Sequence, residues 1–125
     1  MILVDTSVWI DHLRESEHEL TQMLNANDVL THPIVIGELA CGNLPNREQF
    51  LREVELLPAV ASWTHDEVRG FIESERLMGR GIGFMDAHLI YSVMNRPGDV
   101  LWTRDRRLSR VAQELSVSHF EARVL

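Results

Sequence analysis

Four acidic residues of this 125-residue chain stand in settings unlike those of its other acids. Asp5 closes the apolar run MILVD and is followed by two hydroxyls, Thr6 and Ser7. Glu38 lies in HPIVIGELACG, one helical turn after Ile34 and three residues before Cys41, so on a helix it shares a face with apolar and small neighbours. Asp86, in GIGFMDAHLIYSV, begins a stripe continued by Ile90 and Val93, and Asp105, in LWTRDRRL, falls between a strand pattern and a helix pattern. Carboxylates crowded together repel one another and raise one another's pKa, a conflict commonly resolved by a divalent cation. An all-oxygen set selects Mg²⁺ or Mn²⁺ rather than zinc. The histidines show no H-x-x-x-H spacing and Cys41 has no cysteine partner, so zinc is not expected.

Each of the four has a plainer reading. Asp5, Asp86 and Asp105 are all placed where an aspartate can cap a helix, and Glu38 can sit at the rim of an amphipathic one. Thr6 and Ser7 compete with Asp5 for the capping role, which leaves that carboxylate less needed there. Glu15, Glu17, Glu19, Glu53 and Glu55 read as solvated helix faces. His12, His18, His65 and His119 read as surface residues, and His32 and His88 as structural ones.

The elements that must position the acids alternate between strand and helix. MILVD is short, β-branched and apolar on both faces, as a buried strand is. Helices are expected over 7–14, 17–26, 33–41, 47–56, 66–78, 85–95 and 106–115, with Pro33 at a first helical position and Gly42 as a stop. Further strands are expected at DVLT (28–31) and DVLWT (99–103), with short ones at PAVAS (58–62) and 117–120. This order predicts a three-layer α/β/α fold with a central parallel sheet of four or five strands flanked by helices. In such sheets the site lies beyond the carboxyl ends of the strands, near the switch in strand order. Asp5 and the Thr103-Arg104-Asp105 turn are at strand ends of that kind.

Bulk properties bound the rest. The length suits one domain spanning 1–125, and no apolar run approaches the roughly 20 residues of a membrane span. A lone cysteine excludes an intramolecular disulfide and, with no signal-peptide pattern, points to the cytoplasm. The sequence contains no lysine, so all twelve basic residues are arginine and Schiff-base or P-loop lysine chemistry is excluded. The net charge of -7 excludes a protein that coats nucleic acid by global attraction. Any polyanion it handles must meet local arginines or a bound cation. Arg104, Arg106, Arg107 and Arg110 flank Asp105, where the helix dipole mildly disfavours cations. They are candidates for holding substrate phosphates, against the plainer reading of solvated surface charge.

The ordered motifs hhhDTS, IGELxxG, GFxDAxL and TxDxxL resemble those of the PIN-domain nucleases. The resemblance is closer still to the VapC toxins of prokaryotic VapBC toxin–antitoxin pairs, and it covers the chain end to end. It implies that Asp5, Glu38, Asp86 and Asp105 form an acidic pocket binding one or two Mg²⁺ or Mn²⁺ ions. It implies that Thr6 and Thr103 orient the acids or a metal-bound water. It also implies an endoribonuclease acting on transfer RNA or other structured RNA and leaving a 5′-phosphate, a VapB-like antitoxin that blocks the groove, and a homodimer. Trp9, Ile10, Leu13 and Leu39 are candidates for that interface or for core. Three competitors are weighed: a PIN nuclease of RNA processing without an antitoxin, a haloacid-dehalogenase-like phosphatase, and an interaction module whose acids are only caps. The phosphatase would want a second acid two residues after Asp5, where Ser7 stands, and a lysine.

Overall fold

The computed structural model describes residues 1–121. Its element order is β1 (Ile2–Val4), α1 (Thr6–Arg14), α2 (His18–Asn25), β2 (Val29–Leu30), α3 (Pro33–Ala40), α4 (Arg47–Glu55), α5 (His65–Glu75), α6 (Phe84–Met94), β3 (Val100–Trp102) and α7 (Arg106–Glu114). The strands pair in the order β2-β1-β3, both ladders parallel, with Leu3 opposite Leu30 and Leu101. Leu3, Val4, Leu30 and Leu101 are sealed from solvent, as the apolar runs demand of strands covered on both faces. Helices flank this sheet: α6 packs against β3 and α5 against α6, while α1 and α4 pack against α3. No helix is long and apolar enough to cross a membrane among the described residues.

The expected sheet of four or five strands is corrected to three among the described residues. The segments at 58–62 and 117–120 each contribute a single parallel bridge, Ala59 to Thr31 and Ser118 to Leu101. Both are limited by short neighbours. β2 ends at Leu30 because His32 at once turns to cap α3, its Nδ1 accepting from Ile34 N at 3.0 Å. Thr31 N and O then hold the outer segment through Pro58 O and Val60 N, with no further strand to extend along. At the other edge β3 is three residues long, and Leu101 alone hydrogen-bonds Val117 and His119.

α3 also departs from expectation. Its buried stripe is Val35 and Leu39, whereas Ile34 is half-buried and Cys41 exposed. Glu38 belongs to that outer stripe and is exposed, so the inward face expected for it is corrected to a rim position. Of the four candidates for an interface, Trp9 and Leu39 are core, while Ile10 and Leu13 are half-buried. Leu13 lines a groove of about 450 Å³ of mixed character, with Trp9, Phe50 and Leu57 beside His12 and Glu53.

Candidate active site

With β1 in the centre of the sheet, the chain moves first to one side, at β2, and then to the other, at β3. The crevice at this switch lies beyond the carboxyl ends of β1 and β3. Asp5 follows β1 directly and is tied to β3 by its N–H, which donates to Trp102 O at 2.9 Å. Although it occupies the N-cap position of α1, its side chain makes no cap hydrogen bond. Its Oδ2 instead accepts from Ser7 Oγ and Thr103 Oγ1, both at 2.8 Å.

Those two hydroxyls act as matched relays. Ser7 Oγ accepts from Arg104 N at 3.0 Å and Thr103 Oγ1 from Asp105 N at 3.1 Å. The turn after β3 is thereby locked to the first turn of α1 through one carboxylate oxygen. Asp5 is 7% exposed, so its charge depends on these donors. The sequence offered Thr6 and Ser7 as caps that release Asp5; Asp5 is released, but because the hydroxyls bind carboxylates. Thr6 Oγ1 donates to Glu38 Oε1 at 3.0 Å, joining α1 to α3.

The remaining acids also spend one oxygen on the scaffold. Asp86 Oδ2 accepts from Gly83 N at 3.0 Å, bracing the start of α6. Asp105 is a true N-cap: its Oδ1 accepts from Arg107 N at 2.9 Å and Leu108 N at 3.1 Å. Among the described residues, the second carboxylate oxygen of each of the four makes no hydrogen bond. Capping and a further role are therefore compatible for Asp86 and Asp105, which the linear sequence presented as alternatives.

The charges act on one another. Partial loss of hydration pushes the Glu38 carboxyl above its usual range, opposed by the Thr6 hydrogen bond and reinforced by Asp5 and Asp86. Asp86 is raised in the same way, with Asp5 and Asp105 as the repelling charges. Because these folded-state values lie above the ordinary 4.5 and 3.8, the folded protein holds protons that the unfolded chain releases. The stabilisation from Glu38 and Asp86 is thus greatest below those ordinary values and is lost as pH rises through the raised ones. Glu38→Gln, which keeps the acceptor for Thr6, is expected to melt higher than the parent at pH 7 without metal, the advantage vanishing by pH 4. An advantage of equal size at both pH values in thermal melts would contradict this.

As they stand, no three His, Cys, Asp or Glu side chains among the described residues are drawn tightly enough to enclose an ion. The donor set nevertheless fits a hard divalent cation: four carboxylates, coupled by repulsion, each with an uncommitted oxygen. Two further residues support this arrangement. His32 caps α3 and its Nε2 meets Ser92 Oγ of α6 at 3.1 Å, fastening the helix of Glu38 to that of Asp86. Burial, with a smaller effect from His88, lowers its pKa to about 4, so it serves as a neutral strut at pH 7. Ser7 is the other, and the DTS run shows two hydroxyls without showing which acid each will reach. His119, expected at the surface, is half-buried and pairs with Glu19 at 2.9 Å.

The arginines separate into two groups. Arg104 donates to Asp11, Glu17 and Glu121 at 2.7, 2.8 and 2.7 Å and lies 5.9 Å from the Trp102 ring. Its guanidinium is committed, so its expected place among phosphate contacts is corrected to a structural tie between α1, the α1–α2 turn and the C-terminal segment. Arg106, Arg107 and Arg110 are exposed and make no side-chain hydrogen bond or ion pair among the described residues. Arg107 lies against the α5–α6 turn, where a Cβ on Gly81 would come within 2.5 Å of its Cδ.

A family model for the PIN domain matches residues 2–114, and the chain belongs to the PIN domain family. Among its relatives is Ribonuclease VapC32 of Mycobacterium tuberculosis, strains CDC 1551 / Oshkosh and H37Rv. Each is 44% identical over 118 residues, covering 94% of this chain and 95% of the relative. The crystal structure of PAE2754 from Pyrobaculum aerophilum is similar with a TM-score of 0.59 at 21% identity. It covers 87% of this chain and 82% of that one, a likeness that concerns the fold. The resemblance carried by the four motifs is borne out, and the phosphatase alternative is set aside.

Proposed function

We propose that this chain is a metal-dependent endoribonuclease, the toxin of a toxin–antitoxin pair. The observation that supports the reading is the placement of Asp5 and Asp105 just after β1 and β3, with Glu38 and Asp86 raised in pKa by partial burial and, to a smaller extent, by the charges of this set. The name of the 44% identical relatives, Ribonuclease VapC32, supports both the reaction and the toxin role over an RNA-processing nuclease without an antitoxin.

The four acids would hold Mg²⁺ or Mn²⁺. Such a cation lowers the pKa of the attacking water and offsets the charge that develops on the phosphate and the leaving oxygen. The chain's own residues prepare for this. Ser7 and Thr103 fix the direction of Asp5, Thr6 holds Glu38, and the helix starts orient Asp86 and Asp105. Arg106, Arg107 and Arg110 would meet the phosphates of transfer RNA or another structured RNA, countering the net negative charge. A VapB-like antitoxin would cover the acidic groove. The active form would be a cytoplasmic homodimer.

Incubating the purified chain with transfer RNA tests this. Cleavage is expected with Mg²⁺ or Mn²⁺, suppressed by EDTA, with new ends that bear a 5′-phosphate in end-sequencing. Cleavage that persists in EDTA, or none under any metal, would overturn the reading.

A further inference from the structure

Beside Asp105 runs a groove of about 470 Å³ whose lining includes Thr103, Arg106, Arg110, Gln113 and Phe120. Thr103 is shared with the acidic site, since its Oγ1 donates to Asp5 Oδ2 at 2.8 Å. Arg106 and Arg110 are one turn apart on α7, both exposed, and neither is paired with an acid among the described residues.

Phe120 supplies the second feature. It is 70% exposed, an unfavourable setting for an aromatic ring, on a segment held firmly on either side. His119 N donates to Leu101 O at 2.9 Å and its ring pairs with Glu19. Glu121 Oε1 accepts from Trp102 Nε1 and from Arg104 Nε, both at 2.7 Å. The ring is thus displayed at the groove by anchored neighbours, and little ordering remains to be done when something stacks on it.

We infer that this groove binds a single-stranded stretch of RNA beside the cleaved bond, with phosphates on Arg106 and Arg110 and a base stacked on Phe120. The inference rests on the ribonuclease reading for the identity of the ligand. Guanidinium forks match phosphate geometry, and an aromatic face accepts any base. The subsite therefore contributes affinity along the strand more than selection of a base.

The test is fluorescence anisotropy of a labelled single-stranded oligoribonucleotide bound to the full chain in EDTA, where metal-dependent cleavage is silent. Phe120→Ala is expected to weaken binding between about fivefold and a hundredfold, and Phe120→Trp to retain it. Arg110→Ala should weaken binding and reduce the slope of log affinity against log salt by about 0.7, a change Phe120→Ala should not produce. Parental affinity in both alanine variants would overturn the subsite. So would a changed sedimentation of Phe120→Ala with RNA affinity intact, which would assign the ring to protein contact. The ribonuclease reading fails separately, if the parent binds the oligonucleotide but cuts no RNA when metal is supplied.

Discussion

Asp5→Asn is expected to lower RNA cleavage by at least about a thousandfold, equivalent to roughly 4 kcal/mol of transition-state stabilisation, and to relieve growth inhibition when the chain is expressed. The substitution is nearly isosteric. The Asn carbonyl can still accept from Ser7 and Thr103, which both reach Oδ2 at 2.8 Å in the parent, so the lock between α1 and the turn after β3 is retained. What disappears is a negative charge at the point where Glu38 and Asp86 both sense it. Removing that repulsion should leave the metal-free variant at least as stable as the parent. Adding Mn²⁺ should raise the melting temperature of the parent, by the usual linkage of binding to folding, and should do so far less in Asp5→Asn. A variant that folds and cuts RNA at the parental rate would remove Asp5 from the chemistry. A parent whose melting ignores Mn²⁺ would favour acids that serve only as caps and ties.

Trp102→Ala should produce the largest loss of stability, about 3–5 kcal/mol, against total stabilities of about 5–15 kcal/mol for domains of this kind. Trp102 is 1% exposed at the end of β3, and its truncation opens a cavity that the short parallel strands cannot easily close. The same ring anchors the segment that follows α7. Its Nε1 donates to Glu121 at 2.7 Å, and its face lies 5.0 Å from the His119 ring. The melting temperature is expected to fall by about 10–20 °C. Trp102→Phe keeps most of the apolar volume and loses the N–H, so its deficit should be near 1 kcal/mol. Equal deficits for the two in urea unfolding would mean that the hydrogen bond, not the volume, matters at this position.

Several features could be read from local residues because local physics governs them. The alternation of strand and helix follows from hydrophobic period, and the observed elements keep that order with ends within a few residues. Pro33 does start α3, and Gly83 N is braced by the acid three residues on. The existence of a fourth or fifth strand was not legible, because pairing depends on how long the neighbour stays extended. The two-residue β2 permits only one bridge beyond it. Nor did the helical stripe place Glu38, since periodicity defines faces but not which face meets the core. Arg104 was misjudged for a related reason. Its neighbours in sequence are arginines and an aspartate, whereas its partners Asp11, Glu17 and Glu121 arrive from distant elements.

By itself, then, the sequence determined an α/β chain with no lysine chemistry and four acids in motifs of a nuclease family. It offered Asp5 both as a cap and, through the family resemblance, as a metal ligand. Only the tertiary structure showed that its side chain makes no cap hydrogen bond, because the donors that reach a carboxylate are set by the fold. Parallel pairing of β1 with β3 brings Thr103 beside Asp5 across 98 positions of chain, and Ser7 closes on the same oxygen. Asp5 occupies the capping position without capping. Its charge adds to the partial burial that raises the pKa values of Glu38 and Asp86.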